Sequence, residues 1–151
     1  VTPEQLRVDG RGLRYVHVDG NHDEDGVWRD LKLVEQVVMP GAVIVLDDYF
    51  YGLAPGVSAG LFRYLQEEGG RKLVPFFSGG PKFYLTTDRN YAGAYHTAFR
   101  TAYREEIRQR PIFFKKWLGY DMVAADLTRK HPTVFLDRDV SGEDELWPDR
   151  K

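Results

Sequence analysis

Residues Tyr15–Tyr49, "YVHVDGNHDEDGVWRDLKLVEQVVMPGAVIVLDDY", decide the fold. The opening "LRYVHVDG" is a short apolar run in a β-branched and aromatic context, stopped by Asp19-Gly20, and predicts a strand. A helix is expected from about Glu24 to Val38, because Val27, Leu31, Val34 and Val38 recur at helical spacing. Pro40-Gly41 is expected to end it. "AVIVLDDY" then reads as a strand buried on both faces, since its apolar run is continuous rather than alternating. Strand, helix and strand within about 35 residues predict a right-handed parallel crossover.

The same grammar extends downstream. "GVSAGLFRYLQEEGG" predicts a helix burying Val57, Leu61, Tyr64 and Leu65, with Gly69-Gly70 as its stop. "KLVPFF" and "KFYLTT" read as two strands joined by "SGGP", a tight hairpin that makes this pair antiparallel. Pro75 within the first of them predicts an edge position or a bulge. Upstream, Thr2 suits an N-cap and Pro3 the first position of a short helix.

From Tyr91 the pattern turns helical. Tyr91, Tyr95, Phe99 and Tyr103 recur every four residues, and Ile107 continues the stripe until Pro111. Such a stripe is read as a packing face, with a surface for a partner as the alternative. "PIFFKKWLGY" is read as a short helix or a partner-contact segment, and the polar tail from Thr128 to Lys151 as poorly ordered or draped over the surface. The resulting division is residues 1–90 as an α/β unit, 91–127 as a helical extension and 128–151 as a tail.

Composition narrows the function. The chain has 151 residues, the size of one domain, with 42% hydrophobic and 29% charged residues, close to ordinary globular usage. A formal net charge of −2 offers no global attraction to nucleic acid or anionic membrane, so neither is expected as a partner. The absence of cysteine excludes disulfides, thiolate zinc sites and thiol nucleophiles, and leaves oxygen and imidazole as ligands. A cytoplasmic location is the expectation.

The chemistry sits in the loops. In a parallel sheet, loops leaving the carboxyl ends of neighbouring strands open onto one crevice. Asp19 ends the first strand and Asp47 and Asp48 end the next, so the three carboxylates are expected to converge. Hard oxygen ligands of this kind suit Mg²⁺, Mn²⁺ or Ca²⁺. Without a cation they would repel one another. His22, three residues past Asp19, can face the same crevice as a general base, its ordinary pKa of about 6.5 lying near working pH. His17, inside the strand, is read as a satisfied core residue, and His96 and His131 as lacking obvious partners. The alternative for the aspartates is structural, as strand terminators and turn formers.

Two families share features of this loop. "GNHDE", Gly20 to Glu24, resembles a short motif of the metallophosphoesterases, whose two-metal sites hydrolyse phosphate esters. Their upstream "DxH", their "GD" block and their later "GHxH" have no counterpart here. The longer stretch, from about Thr2 to Thr87, resembles the C-terminal half of class I S-adenosylmethionine-dependent methyltransferases. It is most similar to the branch of metal-dependent sugar and natural-product O-methyltransferases, although Asn21 stands where that branch often has Asp and Ala42 replaces its second glycine.

That resemblance implies a partial Rossmann-like methyltransferase fold: the fourth and fifth strands with their helices, then a closing antiparallel pair. It also implies metal ligation by Asp19, Asp47 and Asp48, a base at His22, S-adenosylmethionine and Mg²⁺ or Mn²⁺ as cofactors, and a small hydroxylated molecule as methyl acceptor. The glycine-rich turn and the acidic residue that hold the cofactor in this family have no counterpart among the 151 residues. The chain alone is therefore expected to be a fragment that binds the cofactor poorly. A second copy or a partner chain is expected to complete the sheet beside the first strand.

Overall fold

The computed structural model of the chain describes residues 2–7, 10–67, 73–102 and 112–125. Helix α1 (Pro3–Leu6) precedes strand β1 (Leu13–Val18), helix α2 (Glu24–Val37) and strand β2 (Val38–Leu46). Helix α3 (Pro55–Gln66) leads to the hairpin of β3 (Val74–Gly79) and β4 (Lys82–Thr86). Helix α4 (Arg89–Ala102) and a second hairpin, β5 (Ile112–Trp117) and β6 (Tyr120–Ala125), complete the described elements.

These strands form one mixed sheet, ordered β1-β2-β4-β3-β6-β5. β1 and β2 are parallel, with Val16 beside Ile44, His17 beside Val45 and Val18 beside Leu46, so the α2 connection is the predicted crossover. β4 runs antiparallel to both β2 and β3, as the "SGGP" hairpin requires. Among the described residues β1 forms one edge of the sheet. No described helix is long and apolar enough to cross a membrane.

α2 and α3 pack together over the sheet. Leu31 of α2, Leu61 and Tyr64 of α3, Ile44 and Leu46 of β2 and Leu85 of β4 are fully enclosed in this core. Removing most of one such side chain, as in Leu31→Ala, costs about 2–5 kcal/mol, so the helical periodicity of α2 translates directly into its anchorage. The predicted faces are present, with Val57, Leu61, Tyr64 and Leu65 all buried on α3. Tyr95 and Phe99 of α4 lie on Phe76 and Phe77 of β3, with ring centroids 5.1 and 5.4 Å apart. This is the packing reading of the aromatic stripe.

Several expectations need correction. α2 ends at Val37, one residue before the expected Val38, which is its C-cap, and Val37 supplies its last buried position. The chain then enters β2 directly, and Pro40-Gly41 falls inside that strand. Leu13 pairs with Val38 but Tyr15 with Val43, so the extra β2 residues bulge out where proline cannot donate to the ladder. Pro75 likewise sits at a register shift in β3, an interior strand between β4 and β6, so it marks a bulge and not an edge.

The largest correction concerns residues 112–125, which were assigned to a helical extension. They form β5 and β6, and β6 joins the main sheet parallel to β3. Trp117 fixes this hairpin to the core through edge contacts with Phe62 and Phe83 at 5.3 and 5.2 Å. Burial of Tyr120, Met122, Val123 and Ala125 in β6 outweighed any local helical tendency. Tyr103, Ile107, Gly69-Gly70, His131 and the tail lie outside the described residues.

Candidate functional site

The carboxyl ends of β1 and β2 place the predicted residues together. The Asp47 N–H donates to the Val18 carbonyl at 3.0 Å, extending the parallel ladder by one step and setting Asp47 beside Asp19. Asp48 then adopts the left-handed backbone, with φ of 53°. Asp and Asn tolerate that region better than most residues, and the reversal turns Asp48 towards the β1–α2 loop. There the His22 Nε2 lies 3.4 Å from Asp48 Oδ2.

Asp19 is the hub. Ligand atoms of Asp19, His22 and Asp48 all lie within 4.8 Å of one another, and the same holds for His17, Asp19 and Asp47. All four predicted residues are therefore in one constellation, with Asp19 common to two triplets. Donor chemistry and spacing fit a hard divalent ion held mainly by oxygen.

The loop between Asp19 and α2 is held by its own residues. Asp23 caps the helix by accepting from the Gly26 N–H at 2.7 Å, while Glu24 and Asp25 occupy the first turn, where the helix dipole favours negative charge. Three of the four acids in "DGNHDED" thus serve the helix. Gly56 of α3 packs so closely that an added Cβ would stand 2.3 Å from the His22 carbonyl oxygen. α3 therefore acts as a backstop that sets the position of His22.

Two members of the site were missed in the sequence. His17 is not a core residue: its side chain is 38% exposed and its Nε2 lies 2.9 Å from Asp47 Oδ2. The signal was available, because Tyr15, His17 and Asp19 share one face of β1 by alternation. Lys82, the first residue of β4, donates to Asp47 Oδ2 and lies 3.4 Å from His17 Nε2. No sequence spacing announces it, since its place depends on β4 pairing with β2.

This lysine changes the electrostatics. Burial pushes the Asp47 carboxyl up, but hydrogen bonds from Lys82, the Asp48 N–H and His17, together with the lysine charge, outweigh it and hold the group below the usual carboxylate range. The bond to Asp47 in turn raises Lys82 above an ordinary lysine. Part of the repulsion expected among three close carboxylates is therefore relieved from within the chain. Nearby, Asp30 on α2 is raised, first by burial and then by the charge of Asp23.

Residues 2–49 match a family model described as a methyltransferase domain, 48 residues of 151, spanning α1 to the end of the Asp47-Asp48 turn. Asp19, His22, Asp47 and Asp48 all fall within the match, which supports a methyltransferase domain and, in general terms, methyl transfer. S-adenosylmethionine is the cofactor such a domain implies. No curated protein matches the chain.

Proposed function

We propose that these residues form the acceptor and cation side of an S-adenosylmethionine-dependent O-methyltransferase acting on a hydroxyl of a sugar or small natural product. The observation that carries this reading is the meeting of Asp19, His22 and Asp48 at the ends of adjacent parallel strands, within the region that matches a methyltransferase domain. Asp19, Asp47 and Asp48 are the proposed ligands of Mg²⁺ or Mn²⁺, and His22 the proposed base. When bound, the cation supplies Lewis acidity that lowers the acceptor hydroxyl's pKa, and S-adenosylmethionine supplies the methyl group.

The chain's own residues do the rest. Asp48 orients the His22 imidazole across 3.4 Å, and His22 takes the hydroxyl proton as the acceptor oxygen attacks the methyl carbon. Bound S-adenosylmethionine would give up its methyl group to that oxygen and leave as the neutral thioether. Fixing the β1–α2 loop against α3 holds that geometry, and positioning of this kind supplies much of a transfer enzyme's rate gain. A further strand, from a second copy or a partner chain, is proposed to pair along the outer edge of β1.

A metal-dependent phosphoesterase is the second enzyme reading and would draw on both triplets; the methyltransferase-domain match over residues 2–49 favours methyl transfer over it. Tyr95 and Phe99 pack on Phe76 and Phe77 of β3, which favours a packing face over an interaction module at these two positions.

The test is radiolabelled methyl transfer from S-adenosylmethionine to a panel of vicinal-diol acceptors. It is run on a polypeptide in which these residues follow the glycine-rich half that the resemblance implies. Transfer that needs Mg²⁺ and is lost in Asp19→Asn and Asp48→Ala supports the reading. Transfer indifferent to EDTA and to Asp48→Ala, or Mn²⁺-dependent hydrolysis of a chromogenic phosphate ester in its place, refutes it.

A further inference from the structure

Asp47 has little carboxylate left to offer a ligand. Its Oδ1 accepts the Asp48 N–H at 2.9 Å, and its Oδ2 is shared by Lys82 and by His17 at 2.9 Å. Among the described residues, Asp48 Oδ2 has the looser 3.4 Å approach of His22 Nε2, and Asp19 lies in the field of the Lys82 charge. The lysine thus pairs directly with Asp47, one of the three proposed ligands.

The lysine's place is built in. Leu46 pairs with Phe83, so Lys82 stands one residue past the last ladder pair of β2 and β4, level with Asp47. The Tyr49 N–H donates to the Pro81 carbonyl at 2.8 Å, tying the β3–β4 turn to the turn that carries Asp47 and Asp48. The side chain is 35% exposed, so it has room to swing into solvent when a stronger cation takes its place. An ammonium on a four-carbon stem is suited to this role, being a point charge with many accessible conformations.

We propose that Lys82 is a tethered counter-cation for Asp47, and that a divalent ion binds this carboxylate by displacing it. The lysine thereby holds the Asp47 carboxylate in position and sets the threshold for cation binding. It excludes monovalent and weakly held ions, while a divalent ion that also engages Asp19 and Asp48 outcompetes it. This inference rests on the proposed cation site, and its test separates the two.

The probe is Mn²⁺ alone, titrated into the 151-residue chain at fixed pH and ionic strength, with the free ion read by electron paramagnetic resonance. Removing a unit charge next to a divalent ion in a half-exposed site is worth about tenfold or more in affinity. Lys82→Met is therefore expected to bind Mn²⁺ at least about tenfold more tightly than the parent, and the gain should vanish when Asp47→Asn is already present. Lys82→Gln, which keeps a hydrogen bond to Asp47, is read in the same way if Lys82→Met does not fold by circular dichroism. Equal or weaker binding by the lysine variant, with parent binding still abolished by Asp19→Asn, overturns the role of Lys82 and leaves the cation site standing. Absence of millimolar Mn²⁺ binding in both folded chains overturns the cation site and this inference with it.

Discussion

Gly56→Ala probes the link between fold and site. Gly56 is the second residue of α3, and a Cβ there would stand 2.3 Å from the His22 carbonyl oxygen and 2.9 Å from both Asp23 Cα and Glu24 N. All three atoms belong to backbone, which cannot swing aside as a flexible side-chain end would. Ordinary contact requires the α2 start and the α3 start to separate by about 1 Å. One turn later a Cβ added at Gly60 would likewise stand 2.7 Å from Glu24 O and Val27 Cβ, so the helices are equally close there and the seam cannot open without unpacking them further along.

Overpacking of a tight interface costs about 1–3 kcal/mol, and the backbone nature of the clash places Gly56→Ala near the top of that range. For a chain of this length that corresponds to a melting temperature lowered by roughly 5–10 °C. The displacement falls on the β1–α2 loop, which runs from the proposed ligand Asp19 and carries His22, so Mn²⁺ affinity should drop as well. Thermal melts by circular dichroism and Mn²⁺ titration of the same samples provide the assay. Gly93→Ala is the matched control: it lies on an open surface of α4 with nothing within 4 Å, and alanine there should stabilise by about 0.5–1 kcal/mol through helix propensity. A Gly56→Ala protein that melts within 1–2 °C of the parent, in the roughly 2–4 °C per kcal/mol regime, and keeps its Mn²⁺ affinity refutes the backstop argument.

Other perturbations test separate parts. Tyr64→Phe removes a buried hydroxyl that donates to Glu35 Oε2 at 2.6 Å and accepts the Leu73 N–H at 3.2 Å, so urea unfolding should show a loss of about 1–3 kcal/mol. No change would mean that water replaces the hydroxyl in solution. Asp30 has its carboxyl raised in the folded state, so its ionisation opposes folding above that folded pKa, and the penalty fades as pH falls through it towards the unfolded value. Asp30→Asn should therefore raise the urea midpoint at pH 7.5 and lose its advantage over the parent near pH 4. An advantage that is constant across this range contradicts the assigned cause.

The crossover was legible because apolar periodicity changes sharply between β1, α2 and β2, and the β3–β4 hairpin because "SGGP" leaves little choice of connection. The β5–β6 hairpin was hidden by its turn. Leu118 and Gly119 have φ of 48° and 77°, both positive, as a two-residue hairpin turn demands, but leucine in place of the usual Asn or Asp conceals the signal. Its cross-strand Lys116–Asp121 pair at 2.7 Å is equally silent until the register is known.

For the site, Asp19, His22, Asp47 and Asp48 lie within one strand–helix–strand unit, where residue spacing predicts proximity. Lys82 arrives on a strand more than thirty residues later, and only sheet order brings it to Asp47. His17 required weighing a polar side chain against its neighbours on the pleat. Tyr15 on the same face is 61% exposed, which shows that this face of β1 does not belong to the core.

The central claim is that Asp19, Asp47 and Asp48 hold a divalent cation beside His22. Paramagnetic broadening of backbone amide signals by substoichiometric Mn²⁺ tests it most directly, since the effect reports distance from the ion. The account predicts that signals from 17–23, 47–50 and 82 are lost first, with α1, tied to the far end of α2 through Arg7 and the Gln36 carbonyl, least affected, and the effect absent in Asp19→Asn. Broadening centred instead on the exposed acids Glu24 and Asp25 at the start of α2, or none at millimolar Mn²⁺, would contradict it.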